Sequence, residues 1–131
     1  FEACRRLLVT SGPTTASQPV TLIGVRYEAD QLHEDGDCIL LRHAGPLTVT
    51  GCRFGGGKQR IPRVALLGAG PQVAMISGNT FGAFGAHRVC PVRAQNHTNA
   101  NVNWGNNAYQ RDAHDPQNVE SRLTWADKSY T

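Results

Sequence analysis

One strand-like segment occurs four times along this chain. It reads Pro46-Leu47-Thr48-Val49-Thr50-Gly51-Cys52-Arg53-Phe54 mid-sequence and Pro19-Val20-Thr21-Leu22-Ile23-Gly24-Val25-Arg26-Tyr27 upstream. Downstream it reads Gln72-Val73-Ala74-Met75-Ile76-Ser77-Gly78-Asn79-Thr80-Phe81. Gly24, Gly51 and Gly78 are 27 residues apart, and an aromatic follows each by three. A fourth copy, Asn101 to Tyr109, fits when registered on its aromatic, with one extra residue and Asn106 at the glycine position. Asn is the usual substitute where the backbone takes a positive φ. Val20, Leu47, Ala74 and Val102 then share a column, as do Leu22, Val49, Ile76 and Trp104, and Tyr27, Phe54, Phe81 and Tyr109.

A period of this length marks a solenoid. Each copy alternates apolar and polar residues between Gly and Pro, as a half-buried strand does. A second strand precedes each copy, with Cys38, Val64 and Cys90 equivalent and 26 residues apart. One coil is expected to run strand, short Gly-Pro turn (Gly45-Pro46, Gly70-Pro71), longer strand, bend, aromatic, longer loop. Stacking like strands gives an all-β parallel β-helix in which each coil covers its neighbour's edge. The coils fall at about 1–27, 38–54, 63–81 and 89–109 of a single domain spanning 1–131. Residues 110–131 read as a short closing element, strand or helix, in which Asp115-Pro116 suits a helix start and Val119 and Leu123 share a helical face. The N-terminal end shows no comparable cap and is expected to be covered by further sequence or a partner. The chain begins at Phe1, as an excised or processed piece of a larger protein would.

The columns carry two further expectations. Asn79 and Asn107, just after the bend, are expected to hydrogen-bond along the stack and so satisfy buried amides. Taking Cys38, Leu40, Val64, Leu66, Cys90 and Val92 as inward leaves Ile39, Leu41, Ala65, Leu67, Pro91 and Arg93 outward. That stripe is apolar except for Arg93, and would be covered by another subunit, another domain or the tail. A one-residue slip exchanges the two faces.

At 131 residues the chain is long enough to bury a core. Its net charge of +3 is too small to imply nucleic acid, and no run of about 20 apolar residues marks a membrane span. Cys4, Cys38, Cys52 and Cys90 lack metal-ligand spacing. Cys38 and Cys90, two coils apart, stand about 10 Å from each other, too far for a disulfide. Cys4 lies within reach of Cys38, but buried free thiols are the favoured reading.

The long loops differ in charge. Residues 28–37 hold five carboxylates; 55–63 hold Lys58, Arg60 and Arg63; 82–88 end in His87-Arg88. Stacked on one edge, they make either cross-coil ion pairs on a solvated rim or a cleft edge that binds sugar acids. In the second case Lys58, Arg60, Arg63 and His87 contact substrate, and Asp30, Glu34, Asp35 and Asp37 offer oxygens to calcium. The acidic loop lacks EF-hand spacing, and Gly55-Gly56-Gly57-Lys58 is not followed as a phosphate loop requires. Asn96-His97-Thr98 matches a glycosylation sequon.

The run Asp35-Gly36-Asp37-Cys38-Ile39 leading to Leu47 through Phe54 resembles coils of the pectate-lyase-like superfamily. So does Arg88-Val89-Cys90-Pro91-Val92-Arg93 leading to Trp104-Gly105-Asn106-Asn107. The resemblance spans roughly residues 19–109. It implies a single-stranded right-handed parallel β-helix of about four coils with a short C-terminal closing element. Lyases of that superfamily carry an Arg-x-Pro-x-x-Arg segment with calcium on neighbouring coils. Arg88 and Arg93 would then be the catalytic pair, and Asp35 and Asp37 the metal ligands. Pro91 stands one residue from the family spacing, and the other candidate, Arg60-Ile61-Pro62-Arg63, has Ala65 where the second arginine belongs. The architecture also includes tailspikes and inert fibres, so it does not by itself name a reaction.

Three readings follow. One is a module of an extracellular or virion-surface protein that binds or cleaves a polysaccharide, as lyase or glycoside hydrolase if enzymatic, in a homo-oligomer or beside a neighbouring domain. A second is a non-enzymatic structural solenoid self-associating through Ile39, Leu41 and Leu67. A third is another β-rich binding domain.

Overall fold

Every copy of the repeat turns at a residue with positive φ: Gly24 (65°), Gly51 (62°), Gly78 (67°) and, in the fourth copy, Asn106 (53°). A Cβ there collides with backbone in most L-residues, which is why glycine or asparagine occupies the column. In a computed structural model the protein is described over residues 5–13, 15–28, 37–55, 63–68, 70–82, 92–95 and 100–110. For Arg63, Gly82, Arg93, Trp104 and residues 108–110 the description covers the backbone alone.

The described residues form strands and turns, with no helix. In chain order the strands are β1 (Leu8–Val9), β2 (Val20–Ile23), β3 (Arg26–Glu28), β4 (Asp37–Leu41), β5 (Leu47–Thr50) and β6 (Arg53–Gly55). They continue with β7 (Arg63–Leu66), β8 (Gln72–Ser77), β9 (Thr80–Gly82), β10 (Val92–Ala94), β11 (Ala100–Gly105) and β12 (Ala108–Gln110). Three four-stranded sheets result, ordered β1-β4-β7-β10, β2-β5-β8-β11 and β3-β6-β9-β12. All their pairings are parallel. Each strand thus pairs with its counterpart one repeat away. The residues after the bend, expected only as an aromatic leading into a loop, make a third strand in each repeat.

Register matches the repeat alignment. Val20, Leu47, Ala74 and Val102 are in line, as are Leu22, Val49, Ile76 and Trp104. Tyr27, Phe54, Phe81 and Tyr109 form the third line. Tyr27, Phe54 and Phe81 are wholly buried. The Phe54 and Phe81 rings stack with centroids 5.0 Å apart, and Tyr27 tilts against Phe54 at 6.5 Å. Stacking of this kind adds about 0.5–1.5 kcal/mol per pair beyond area burial. The core between the sheets is filled by Tyr27, Leu47, Val49, Phe54, Ala74, Ile76 and Phe81 of these columns together with Ile39, Leu41, Val64, Leu66, Val92 and Ala94.

One expected column is corrected. The register pairs Ile39, not Cys38, with Val64, and Val64 with Val92, not Cys90. A bulge between Asp37 and Ile39 inserts Cys38 as an extra residue. One extra residue reverses the facing of everything after it. Ile39 and Leu41 therefore enter the core, both fully buried, and do not form an outward apolar stripe. Leu40 and Ala65, in line on the opposite face, are also closed to solvent at 5% and 0% exposure. Cys38 and Cys52 are buried free thiols; Cys4, Cys90, the sequon and the closing element at 110–131 lie outside the described residues. No helix among the described residues is long and apolar enough to cross a membrane.

Candidate functional site

The sheet β1-β4-β7-β10 receives three of the eight residues singled out from the sequence. Arg63 opens β7 in register with Asp37 of β4, across the bulge. Arg93 lies on β10 in register with Ala65. Arg63 and Arg93 alternate with the core residues Val64 and Val92, so both backbone positions belong to the sheet's outer face. Their Cα atoms, on adjacent strands and offset by two residues, stand about 8 Å apart by strand geometry. The other five candidates, Asp35, Lys58, Arg60, His87 and Arg88, lie outside the described residues.

Asp37 is wholly buried. Arg6 Nη1 donates to its backbone carbonyl at 3.2 Å. Burial, reinforced by the Asp37 charge, pushes the neighbouring Cys38 thiol far above the usual range. Such a thiol stays protonated and unreactive. Calcium takes about six to eight oxygen ligands. Among the described residues no three His, Cys, Asp or Glu side chains come together. Asp37 is closed to solvent, and Asp35, the other expected calcium ligand, lies outside the described residues.

Two buried polar groups escape sequence reasoning because each occurs once and carries no periodic signal. His43, at 4% exposure, directs Nε2 at the Gln18 carbonyl (2.8 Å) and Nδ1 at the Thr10 hydroxyl (3.0 Å). A carbonyl only accepts, so Nε2 carries the hydrogen, and in the neutral ring Nδ1 accepts from Thr10. The Thr10 oxygen in turn accepts the Arg42 amide at 2.9 Å. Both ring nitrogens are committed to holding the first repeat against the second. Gln72 Nε2 donates to the carbonyls of Leu41 (2.9 Å) and His43 (2.8 Å), while its Oε1 accepts the Gly68 amide at 2.8 Å. Gly68 leaves room for this side chain, since a Cβ there would stand 2.8 Å from Gln72 Cδ.

The arrangement sets two arginine positions on one outer face, with a floor of buried aliphatic residues beneath. Arginine is a residue type that grips carboxylates through paired hydrogen bonds. No protein-family model matches the chain, and no curated protein or solved structure does.

Proposed function

We propose that the chain is a right-handed parallel β-helix module of an extracellular or virion-surface protein, and that it binds an acidic polysaccharide over the β4-β7-β10 face. The observation that carries the reading is the placement of Arg63 and Arg93 on adjacent strands of that face. Lys58 and Arg60 precede β7 in the chain, and His87 and Arg88 precede β10, so the segments entering these strands add positive charge. Polymers of sugar acids carry a carboxylate on each sugar. A sheet offering arginines on successive strands recognises them by charge and by paired hydrogen bonds. Arg88 and Arg93 are the groups on which cleavage, as distinct from binding, would turn.

The test is retention of the protein by polygalacturonate in affinity electrophoresis, with release of unsaturated product followed in parallel by ultraviolet absorbance. Retention by polygalacturonate, clearly weakened in an Arg63→Ser/Arg93→Ser double variant and not reproduced by a neutral glucan, is the expected result. Equal retention by the neutral polymer contradicts the reading.

A separate observation favours self-association. Ile23 (70% exposed), Val73 (40%) and Met75 (43%) lie on the outer face of β2-β5-β8-β11. This face takes the place of the Ile39–Leu41 stripe as the surface through which copies would pack. Sedimentation equilibrium of the parent chain and a Met75→Glu variant separates the two: a dimer or larger species dissociated by the variant supports packing, and a monomer at all concentrations removes it.

A further inference from the structure

The outer face of the β3-β6-β9-β12 sheet carries arginines in register. Arg26 and Arg53 oppose one another on adjacent parallel strands, and Thr80 follows Arg53 on the next. Their neighbours in sequence, Tyr27, Phe54 and Phe81, fill the core, so alternation sends Arg26, Arg53 and Thr80 outward. Arg26 and Arg53 are exposed, and Thr80 is half-buried. Adjacent strands stand about 4.8 Å apart, so the three residues make a column of hydrogen-bond donors about 10 Å long.

Like charges directly opposite on neighbouring strands repel. Glu28 answers Arg26: its Oε1 accepts from Arg26 Nε at 2.8 Å, with the two side chains 24% and 66% exposed. Glu28 reaches that position by lying over Gly55, where a Cβ would stand 2.9 Å from its Cδ. Arg53 makes no ion pair among the described residues. Among the described residues the group therefore holds two cations and one anion, with Arg53 on the middle strand outside the Arg26–Glu28 ion pair.

We propose that Arg26, Arg53 and Thr80 bind the oxyanions of a linear anionic polysaccharide lying along the stacking direction, with Glu28 orienting Arg26 at the rim. Such a polymer repeats its charge along its length, as the sheet repeats its strands, and each guanidinium presents a fork to one carboxylate or sulfate. Naming a polysaccharide rests on the functional reading above. The site does not, since it uses another sheet and other residues.

The experiment is isothermal titration of the full chain at several salt concentrations with polygalacturonate, dextran sulfate and unmodified dextran. Polygalacturonate and dextran sulfate separate carboxylate from sulfate preference. Arg53→Ser and Arg26→Ser are each expected to weaken binding roughly tenfold and to flatten its salt dependence, as loss of one released counterion does. Glu28→Gln is expected to tighten it. Unmodified dextran is expected not to bind. Thermal midpoints of the serine variants are expected to stay near the parent's, because both side chains are exposed. Unchanged affinity in an Arg26→Ser/Arg53→Ser double variant overturns the site. If the Arg63→Ser/Arg93→Ser variant alone loses binding, the functional reading stands without it. The reverse pattern keeps this site and removes the β4-β7-β10 face. Absence of binding by the parent chain overturns both, and tighter binding of single-stranded nucleic acid than of either polysaccharide overturns the ligand class.

Discussion

Asn79 donates from Nδ2 to Asn107 Oδ1 at 3.0 Å, across the boundary between two repeats. The same Asn107 oxygen accepts the Asn79 backbone amide at 3.0 Å, and Asn107 Nδ2 donates back to the Ile76 carbonyl at 2.8 Å. Asn79 repeats the pattern one step earlier. Its Oδ1 accepts the Cys52 amide at 2.9 Å, and its Nδ2 donates to the Val49 carbonyl at 2.9 Å. Ile76 and Val49 are themselves in register. The ladder thus ties each bend to the one before it with side-chain amides that are both donor and acceptor.

Replacing Asn79 by Leu keeps the branched shape and removes both functions. The buried Cys52 amide and Val49 carbonyl lose their side-chain partner. Leaving such groups unsatisfied costs about 1–3 kcal/mol each. Urea denaturation should therefore show a loss of about 2–6 kcal/mol. A loss below about half a kcal/mol, under the usual worth of one hydrogen bond, would mean that water replaces the amide and the ladder is incidental.

Cys52 holds the next place in this column but is only a weak donor, its Sγ standing 3.5 Å from the Leu22 carbonyl. Cys52→Asn should extend the ladder by one step, with Nδ2 on the Leu22 carbonyl as in the repeats that follow. The expected gain is about 1 kcal/mol, read as a raised denaturation midpoint at unchanged m-value. A lowered midpoint would show that the column does not admit the larger polar group at this level.

The bends make a graded prediction. At Gly51 the nearest atom to an added Cβ is the Gly24 amide nitrogen, 3.9 Å away, so Gly51→Ala meets only the cost of positive φ, about 1–2 kcal/mol. Gly51→Asn should cost clearly less, as Asn106 does the same work in the fourth repeat. Gly45→Ala should be worst of the three. Its φ is 94°, and its Cβ would stand 2.6 Å from the Val73 carbonyl oxygen. Thermal denaturation should place Gly51→Asn highest in stability, Gly51→Ala below it and Gly45→Ala lowest. Equal midpoints for the two Gly51 variants would show that the bend relaxes out of positive φ.

Cys38 sets a pH limit. Its thiol is held protonated in the fold, first by burial and then by Asp37. In the unfolded chain it ionises near the usual value of about 8.5. Below that pH both states keep the proton and nothing is lost. Above it the unfolded state sheds the proton while the native state retains it, so stability falls as pH rises. A Cys38→Ala variant should lose that part of the alkaline slope. An unchanged slope between about pH 8 and 10 would place the titration elsewhere.

Much of this architecture is legible in the repeat. The three columns, the Asn106 bend and the Asn79–Asn107 contact follow from aligning four copies, because periodicity multiplies a weak signal. What failed lies where periodicity is silent. In Cys38-Ile39-Leu40-Leu41 every residue is apolar, so no alternation reveals which faces inward, and the bulge at Cys38 reverses the assignment. The third strand is only three residues long in each repeat, too short for a pattern. The meeting of Asp37 with Arg63 depends on that bulge. The pairing of Arg26 with Arg53 gives no signal of its own, because charges flanking an aromatic read as ordinary surface.

The stacked parallel register underlies both the scaffold and the two arginine faces, and solution NMR tests it most directly. Nuclear Overhauser contacts should join the Phe54 ring to the Phe81 ring, and Val49 methyls to both Leu22 and Ile76, in one monomeric chain. The short cross-strand Hα–Hα contacts of antiparallel non-hydrogen-bonded pairs should be missing from these strands. Strong Hα–Hα contacts between β5 and β8, or no contact between the two phenylalanine rings, would contradict the stack and everything placed on it.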